Sequence, residues 1–386
     1  MKNSPKLPIQ TCTGCSACAA VCPVKAICMR ADAEGFLRPV VNEKTCIGCG
    51  KCEKSCPIGC EAPAGEPLAV FAAKAAELAV QAGSQSGGVF YVLARWVIER
   101  GGVVYGAALG DDFETRHIRV DSLQMLKRLQ GVKYVQSNPD GCYEKAAADL
   151  KAGKMVLYSG TPCQIAGLQS VLRGKKIPTE KLLTADVVCY GVPSPGVFRQ
   201  WLSSLEKHRR SKVISMQYRR VDAPWGKGKE WYCFADGTQL EGSFYTGLYF
   251  RNLIIRPSCE SCRFCNTHRP GDLTLGDFWG IGKALPEFDD EKGVSLLLIN
   301  TGKGQVAFEE IAKNLEYRSA TVSDAVAEQP RLRGIAVKPS SYRDAFWQKL
   351  RKNGMDDIAV EEGFFPPTMG YRLKKKLEAV KKRLWK

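Results

Sequence analysis

Cys12, Cys15, Cys18 and Cys22, followed by Pro23, recur as Cys46, Cys49, Cys52 and Cys56, followed by Pro57. Each run reads C-x2-C-x2-C-x3-C-P. In this spacing three thiolates wrap one face of a [4Fe-4S] cube, and the fourth, redirected by its proline, reaches a second cube. The ligand sets are therefore expected to cross over, with Cys12, Cys15, Cys18 and Cys56 on one cluster and Cys46, Cys49, Cys52 and Cys22 on the other. Zinc is the competing ion, but zinc favours C-x2-C pairs separated by a longer loop, not two identical runs each closed by proline. The chemistry this spacing implies is one-electron transfer.

A further constellation, Cys259-x2-Cys262-x2-Cys265, needs a fourth ligand if it holds a cube. Cys163, at an expected strand-to-helix turn, and Cys189, at another strand end, are the candidates. Zinc on Cys259, Cys262, Cys265 and His268 competes, and spacing alone leaves both readings open. The only histidines are His117, His208 and His268, scattered and outside any triad-like motif. No catalytic acid or base is assigned. That scarcity suits a redox protein, in which a cofactor carries the difficult chemistry.

The elements around these residues can be read coarsely. The N-terminal cysteine-rich stretch ends at the prolines of the 62–67 segment, which stop helices and favour an extended linker. The alanine-rich 68–82 segment predicts a helix, and Val89 to Glu99 a second one, after the turn Ser84-Gln85-Ser86-Gly87-Gly88. Strands are expected over 103–106, 154–159, 182–188 and 296–300, helices over 164–172 and 305–314, and a β-meander between 213 and 245. Together these predict an α+β protein: an N-terminal two-cluster ferredoxin module over residues 1–62, α/β domains over 63–175 and 176–350, and a tail over 351–386.

Of the 17 cysteines, ten precede residue 61 in cluster-like spacing, so disulfides are not expected and a reducing cytoplasm is. The start has no apolar signal region and no run of 18 apolar residues occurs, so neither a signal peptide nor a membrane span is expected. The net charge of +16 is concentrated at the end: residues 371–386 hold eight Lys or Arg against one Glu. In that tail Leu373, Leu377, Val380 and Leu384 recur at helical spacing, with Trp385 beside them. Such a helix suits peripheral contact with the anionic inner face of a membrane or docking on a partner, with a solvated terminal helix as the alternative. The basic stretch from Lys207 to Arg220 carries no nucleic-acid motif and reads as a solvated face, so nucleic acid is not expected as a partner.

Four segments carry a resemblance: Tyr158-Ser159-Gly160-Thr161-Pro162-Cys163-Gln164-Ile165-Ala166-Gly167-Leu168, Ser84-Gln85-Ser86-Gly87-Gly88, Lys133-Tyr134-Val135-Gln136-Ser137 and Leu275-Gly276-Asp277-Phe278-Trp279-Gly280. With them the chain, from about residue 1 to 350, resembles the beta-subunit family of coenzyme F420 hydrogenase and dehydrogenase, iron–sulfur flavoproteins whose relatives reduce deazaflavins or chlorophyll-type tetrapyrroles. The resemblance implies a third [4Fe-4S] cluster on Cys163, Cys189, Cys259 and Cys262, with Cys265 a bystander. It implies FAD near Ser84, Ser86, Gly87, Gly88, Lys133, Tyr134, Gln136 and Ser137, with Lys133 close enough to the ring to stabilise its reduced anion. Taken alone, the SxSGG turn is either a phosphate cradle or a glycine hinge. Two departures stand out: Tyr190 where the family pattern has His, and Gln81 and Ala82 where it has a basic residue.

The resulting expectation is an iron–sulfur flavoprotein oxidoreductase. Electrons pass from a low-potential donor, an acidic redox protein such as a ferredoxin or a dehydrogenase subunit, through the clusters to FAD and on to an organic substrate: a deazaflavin, a tetrapyrrole or a cell-surface precursor. The alternative is a non-catalytic electron-transfer subunit of a larger hydrogenase or dehydrogenase complex.

Overall fold

Two short strands, β1 (Ile27–Ala31) and β2 (Leu37–Val41), form an antiparallel hairpin in the N-terminal module, with Ile27 opposite Val41. In this computed structural model the described residues are 5–59, 65–139, 141–220, 223, 225–367, 369, 371–373, 376 and 377. Single-turn helices, Ala17–Ala20 and Lys51–Lys54, follow the second cysteine of each run. Cys60 and residues 62–64 of the expected linker lie outside the described residues.

The body is an eight-stranded mixed sheet. Its strands are β3 (Ala69–Ala75), β4 (Val103–Leu109), β5 (Thr115–Val120), β6 (Val156–Gly160), β7 (Leu182–Val187), and, after an excursion, β11 (Leu273–Asp277), β12 (Ser295–Ile299) and β13 (Leu315–Ala320). Their order is β13-β3-β12-β11-β7-β6-β4-β5. The central four, β4, β6, β7 and β11, run parallel, and antiparallel strands flank them on both sides. The expected domain border at 175/176 therefore falls between two hydrogen-bonded neighbours, β6 and β7, of a single sheet.

Side-chain alternation along the strands separates two cores. Val104, Leu157 and Leu183 bury on one face, under the helices Val89–Glu99 and Gly302–Ile311. Val103, Tyr105, Val156, Tyr158 and Leu182 bury on the other, under Cys142–Lys151 and Pro162–Gly174. Ala17, Ala20 and Val21 of the N-terminal module join that second core, so the cysteine-rich module is packed onto the sheet domain. The excursion is a separate layer: β8 (Val213–Gln217), β9 (Glu230–Phe234) and β10 (Gln239–Gly242) form an antiparallel sheet, packed with the helices Pro195–Arg209, Phe244–Phe250 and Arg343–Glu361 around Trp201, which is fully buried.

The 68–82 segment departs from the expected helix. It is β3 followed only by the short helix Leu78–Ala82, because β3 is an interior strand paired on both sides, with β12 and β13. Alanine favours a helix by well under 1 kcal/mol per residue, and two ladders of backbone bonds plus burial outweigh that. In the tail, Leu373 and Leu377 are exposed, whereas Val380, Leu384 and Trp385 lie outside the described residues. Among the described residues no helix is long and apolar enough to cross a membrane.

Candidate redox centre and adjoining cavity

Backbone conformation shapes the two N-terminal cysteine runs identically. Gly14 and Ser16 in the first run, and Gly48 and Gly50 in the second, all have φ near +70°, a region that turns successive amides inward and builds anion-binding concavities. The Gly14 amide donates to Cys12 Sγ and the Ala26 amide to Cys22 Sγ, at 3.4 and 3.2 Å. Cys22, Cys46, Cys49 and Cys52 all line one cavity of about 290 Å³. Burial pushes the Cys18 thiol up to about 12, and the neighbouring thiols of Cys12 and Cys56 add to the rise. Cys22 thus shares a cavity with the cysteines of the second run, and Cys56 stands near Cys18 of the first.

The candidate third set draws on three chain segments. Cys163 begins the helix Pro162–Gly174, whose start is held by a capping box: the Gln164 carboxamide accepts the Thr161 amide, and the Thr161 hydroxyl lies 3.2 Å from Cys163 Sγ. Cys189 follows β7, and Cys259 and Cys262 follow Arg256 in a 3-10 turn, Pro257–Ser261. Burial pushes the Cys189 and Cys259 thiols up, Cys259 to about 12, and each of Cys163 and Cys262 reinforces both rises. His268 faces away to Glu66, at 3.2 Å, and its side chain is 43% exposed, so it is not the fourth member of a zinc set. Cys265 is buried beside Cys262 and near Cys189. Among the described residues no three Cys, His, Asp or Glu groups stand close enough to chelate a single metal ion directly.

The 259–270 loop is anchored by Arg269, which is buried with Asp186. Its guanidinium donates to Asp186 Oδ1 at 2.7 and 3.0 Å and to the carbonyls of Phe264 and Val187, and the other Asp186 oxygen accepts the Gly271 amide. Asp272 belongs to the sheet instead, accepting from Thr184 and Thr301.

A cavity of about 690 Å³ opens at the carboxyl ends of β4, β6, β7 and β11, where parallel sheets place their ligand crevices. Cys189 is part of its wall. So are Ser84, Ser86, Gly88, Lys133, Tyr134 and Ser137, together with Tyr190, Asp277 and Trp279. The first turn of the helix Val89–Glu99 faces it, and the positive end of the helix dipole there favours a phosphate, although the Tyr91 and Val92 amides already donate to Gly88 O. Gly88 caps that helix at φ 82, and Gly87 allows the turn to lie against the sheet, since a Cβ there would meet Ala73 O at 2.2 Å.

Several expected contacts are differently engaged. The Lys133 ammonium donates to the carbonyls of Leu129, Gln130 and Gly131 at 2.7 to 3.2 Å, and burial pushes it down to about 7. It braces its own loop. Gln136 does not line the cavity; its carboxamide bridges Thr13 O and Arg256 at the contact with the N-terminal module. Arg219, read as part of a solvated basic face, is buried: it donates to the Gln85 side chain and main-chain carbonyl and lies 3.4 Å from Asp277, which fixes the SxSGG turn over the cavity. Lys207 and Lys212 in the same stretch are exposed, as expected. Tyr190, in place of the family's His, donates to Asn252 and lies under the Arg331 guanidinium.

His117, which belongs to none of the sequence motifs, is buried in the cavity wall. Its Nε2 contacts Ser159 O at 2.9 Å and its Nδ1 the Ser137 hydroxyl at 3.0 Å, so Nε2 carries the proton and Ser137 donates to Nδ1. Ser137 in turn accepts from Gln164. Burial pushes the imidazole down to about 4. An isolated His in a strand offers no local signal of this role; the partners come from the GTPCQ and KYVQS segments.

The sequence of residues 11–60 matches the profile of the 4Fe-4S dicluster domain, and that of residues 153–324 the profile for the C terminus of the coenzyme F420 hydrogenase/dehydrogenase beta subunit. The chain joins a 4Fe-4S dicluster domain to a carboxyl-terminal domain of that beta-subunit family. No curated protein matches it. Among solved structures, a chain of the F420-reducing [NiFe] hydrogenase complex from Methanosarcina barkeri is similar over 77% of this chain and 92% of its own, at 17% identity and a TM-score of 0.47. The beta-subunit domain as matched contains Cys163, Cys189, Cys259 and Cys262 and the LGDFWG segment, whereas the SxSGG turn and His117 lie before it.

Proposed function

We propose that the chain carries three [4Fe-4S] clusters and one FAD, and reduces an organic substrate with electrons from a protein donor. The observation that carries this reading is Cys189: it belongs to the third thiol set and also lines the 690 Å³ cavity, beside the SxSGG turn. A cluster on that set therefore adjoins the place where a cofactor can sit. The N-terminal thiol pockets suit anionic clusters, with left-handed turns presenting amides beside the cysteines. The cavity suits a dinucleotide, offering a helix N-terminus for phosphate and an apolar, aromatic wall for a ring. When bound, FAD supplies the exchange between one-electron carriers and two-electron organic chemistry.

Within that reading the second set is the entry. Cys49 is exposed, Val24 and Ile47 stand out beside it at 40 and 48% exposure, and Lys6 and Lys51 border the cavity. An apolar contact rimmed by lysine fits an acidic redox protein. The beta-subunit likeness supports a second reading, an electron-transfer subunit working inside a hydrogenase or dehydrogenase complex with its own partner subunits.

Anaerobic reconstitution tests both. The expected holoprotein holds about twelve irons, four per cluster, and releases FAD on acid treatment. About eight irons with one zinc, or no flavin bound, overturns the corresponding part. Turnover of an organic acceptor by the isolated chain distinguishes an enzyme from a relay subunit.

A further inference from the structure

Arg256 is fully buried, and its guanidinium sits where the N-terminal module meets the sheet domain. Its Nε donates to Cys12 O at 2.8 Å, Nη2 to Leu37 O at 2.8 Å and Nη1 to Gln136 Oε1 at 2.9 Å. Gln136 then donates to Thr13 O at 2.8 Å, closing a ring of bonds around the first cysteine run. The backbone of the same residue is tied to the third thiol set: its amide donates to Val192 O, three residues after Cys189, and its carbonyl accepts the Cys259 amide. One residue therefore ties the Cys12 run, through its side chain, to the Cys259 turn, through its backbone.

All three acceptors are neutral. Among the described residues no carboxylate pairs with Arg256, whereas the nearby Arg38 is paired with Asp32 at 3.0 Å. A buried, permanently charged guanidinium without an anion is strongly unfavourable. The groups near it that would become anions as cluster ligands are thiols of the two sets, Cys12 of the first and Cys259 and Cys163 of the third. The approach is close: a side-chain carbon on Gly14 would lie 2.7 Å from Arg256 Nη1, so glycine is needed there for space as well as for its φ of +70°.

We propose that Arg256 is the shared counter-charge of the first and third clusters, raising the reduction potentials of both and so the driving force for transfer to them from the second. The proposal rests on the three-cluster reading above. A cube held by four thiolates is an anion, and reduction adds one electron and no atom, so a fixed cation beside it favours the reduced form and raises the potential. At roughly 10 Å and an effective dielectric of about 20, one charge is worth on the order of tenfold in the ratio of reduced to oxidised cluster. For a one-electron couple tenfold corresponds to about 59 mV. Arg256 is a positioning residue, acting on the clusters through space and through the backbone of Cys12 and Cys259. Raising both neighbours together keeps the transfer between them near balance while favouring its direction inward from the second set.

The test is potentiometric titration followed by electron paramagnetic resonance on wild type, Arg256→Gln and Arg256→Lys, each with iron counted. The third cluster's signal is identified as the one missing from Cys262→Ser. With full iron, Arg256→Gln is expected to make the first and third clusters about tenfold harder to reduce and to leave the second unchanged, while Arg256→Lys, which keeps the charge and changes the hydrogen bonds, stays within about threefold of wild type. Unchanged first and third potentials in an iron-replete Arg256→Gln overturn the proposal, as does an equal shift in the Lys variant. If Arg256→Gln loses a cube, Arg256→Lys decides: potentials held near wild type support the shared charge, and displaced ones refute it. An iron content of eight in wild type would instead defeat the three-cluster reading itself.

Discussion

His117 shows how burial converts a titratable ring into a fixed donor and acceptor. The unfolded chain binds a proton on this side chain near 6.5, and the folded one only near 4. Because the unfolded state binds more protons between those values, stability falls as pH drops from 6.5 to 4, by about 3 kcal/mol from this group once both forms are protonated. Above 6.5 the residue has no pH-dependent effect. Thermal unfolding of anaerobic protein across this range is expected to show a shallower acid slope for His117→Asn than for wild type, and identical slopes would exclude His117 as the source. Cys265 gives a second prediction at this scale. Cys163, Cys189, Cys259 and Cys262 already supply four thiols, so Cys265→Ser is expected to retain about twelve irons. Loss of about four would make Cys265 a ligand.

At the scale of elements, two contacts hold the third thiol set in place. The helix Pro162–Gly174 presents Cys163 at its start and Gly167 one turn later, and a Cβ on Gly167 would lie 3.2 Å from Cys15 Sγ and 3.1 Å from the Tyr143 hydroxyl. The first and third thiol sets meet across that glycine. Gly167→Val should push the N-terminal run away and lower iron by about four, with flavin still bound in the separate cavity. The Arg269 and Asp186 pair acts on the opposite side of the set. Arg269→Met leaves Asp186 buried without its partner, at a cost of about 3 to 5 kcal/mol, and frees the 259–270 loop. The expected phenotype is loss of the third cluster's signal with the two N-terminal ones intact; retention of all three would show that the loop is held elsewhere.

For the molecule as a whole, the thiol sets form a series from an exposed face to an interior cavity: Cys49 at the surface, Cys15 against the Cys163 helix, Cys189 in the cavity wall. If electrons follow that series, Cys49→Ser and Cys15→Ser each abolish flavin bleaching by a protein donor in stopped flow. Dithionite with a viologen, small enough to reach the inner centres, still bleaches the flavin in both variants. Wild-type rates with an acidic donor should fall as salt rises, because exposed charges are screened over about 8 Å at physiological ionic strength. Full rates with the protein donor in both variants would place the entry elsewhere.

What the sequence determined by itself is local. The cysteine runs are legible because a cube dictates its ligand spacing within a dozen residues, and the helix Val89–Glu99 is legible because its apolar pattern and flanking glycines all lie in one segment. The alanine-rich β3 misled because its two ladder partners lie more than two hundred residues away in the chain. Only the tertiary structure decided which basic residues are structural. Arg219 and Lys212 look alike in sequence, yet one is buried against Gln85 and Asp277 and the other is solvated. Arg256 reaches Cys12 across 244 residues of chain. Long guanidinium side chains take their meaning from whatever carbonyls and anions the fold gathers around them, and no spacing rule along the chain encodes that neighbourhood.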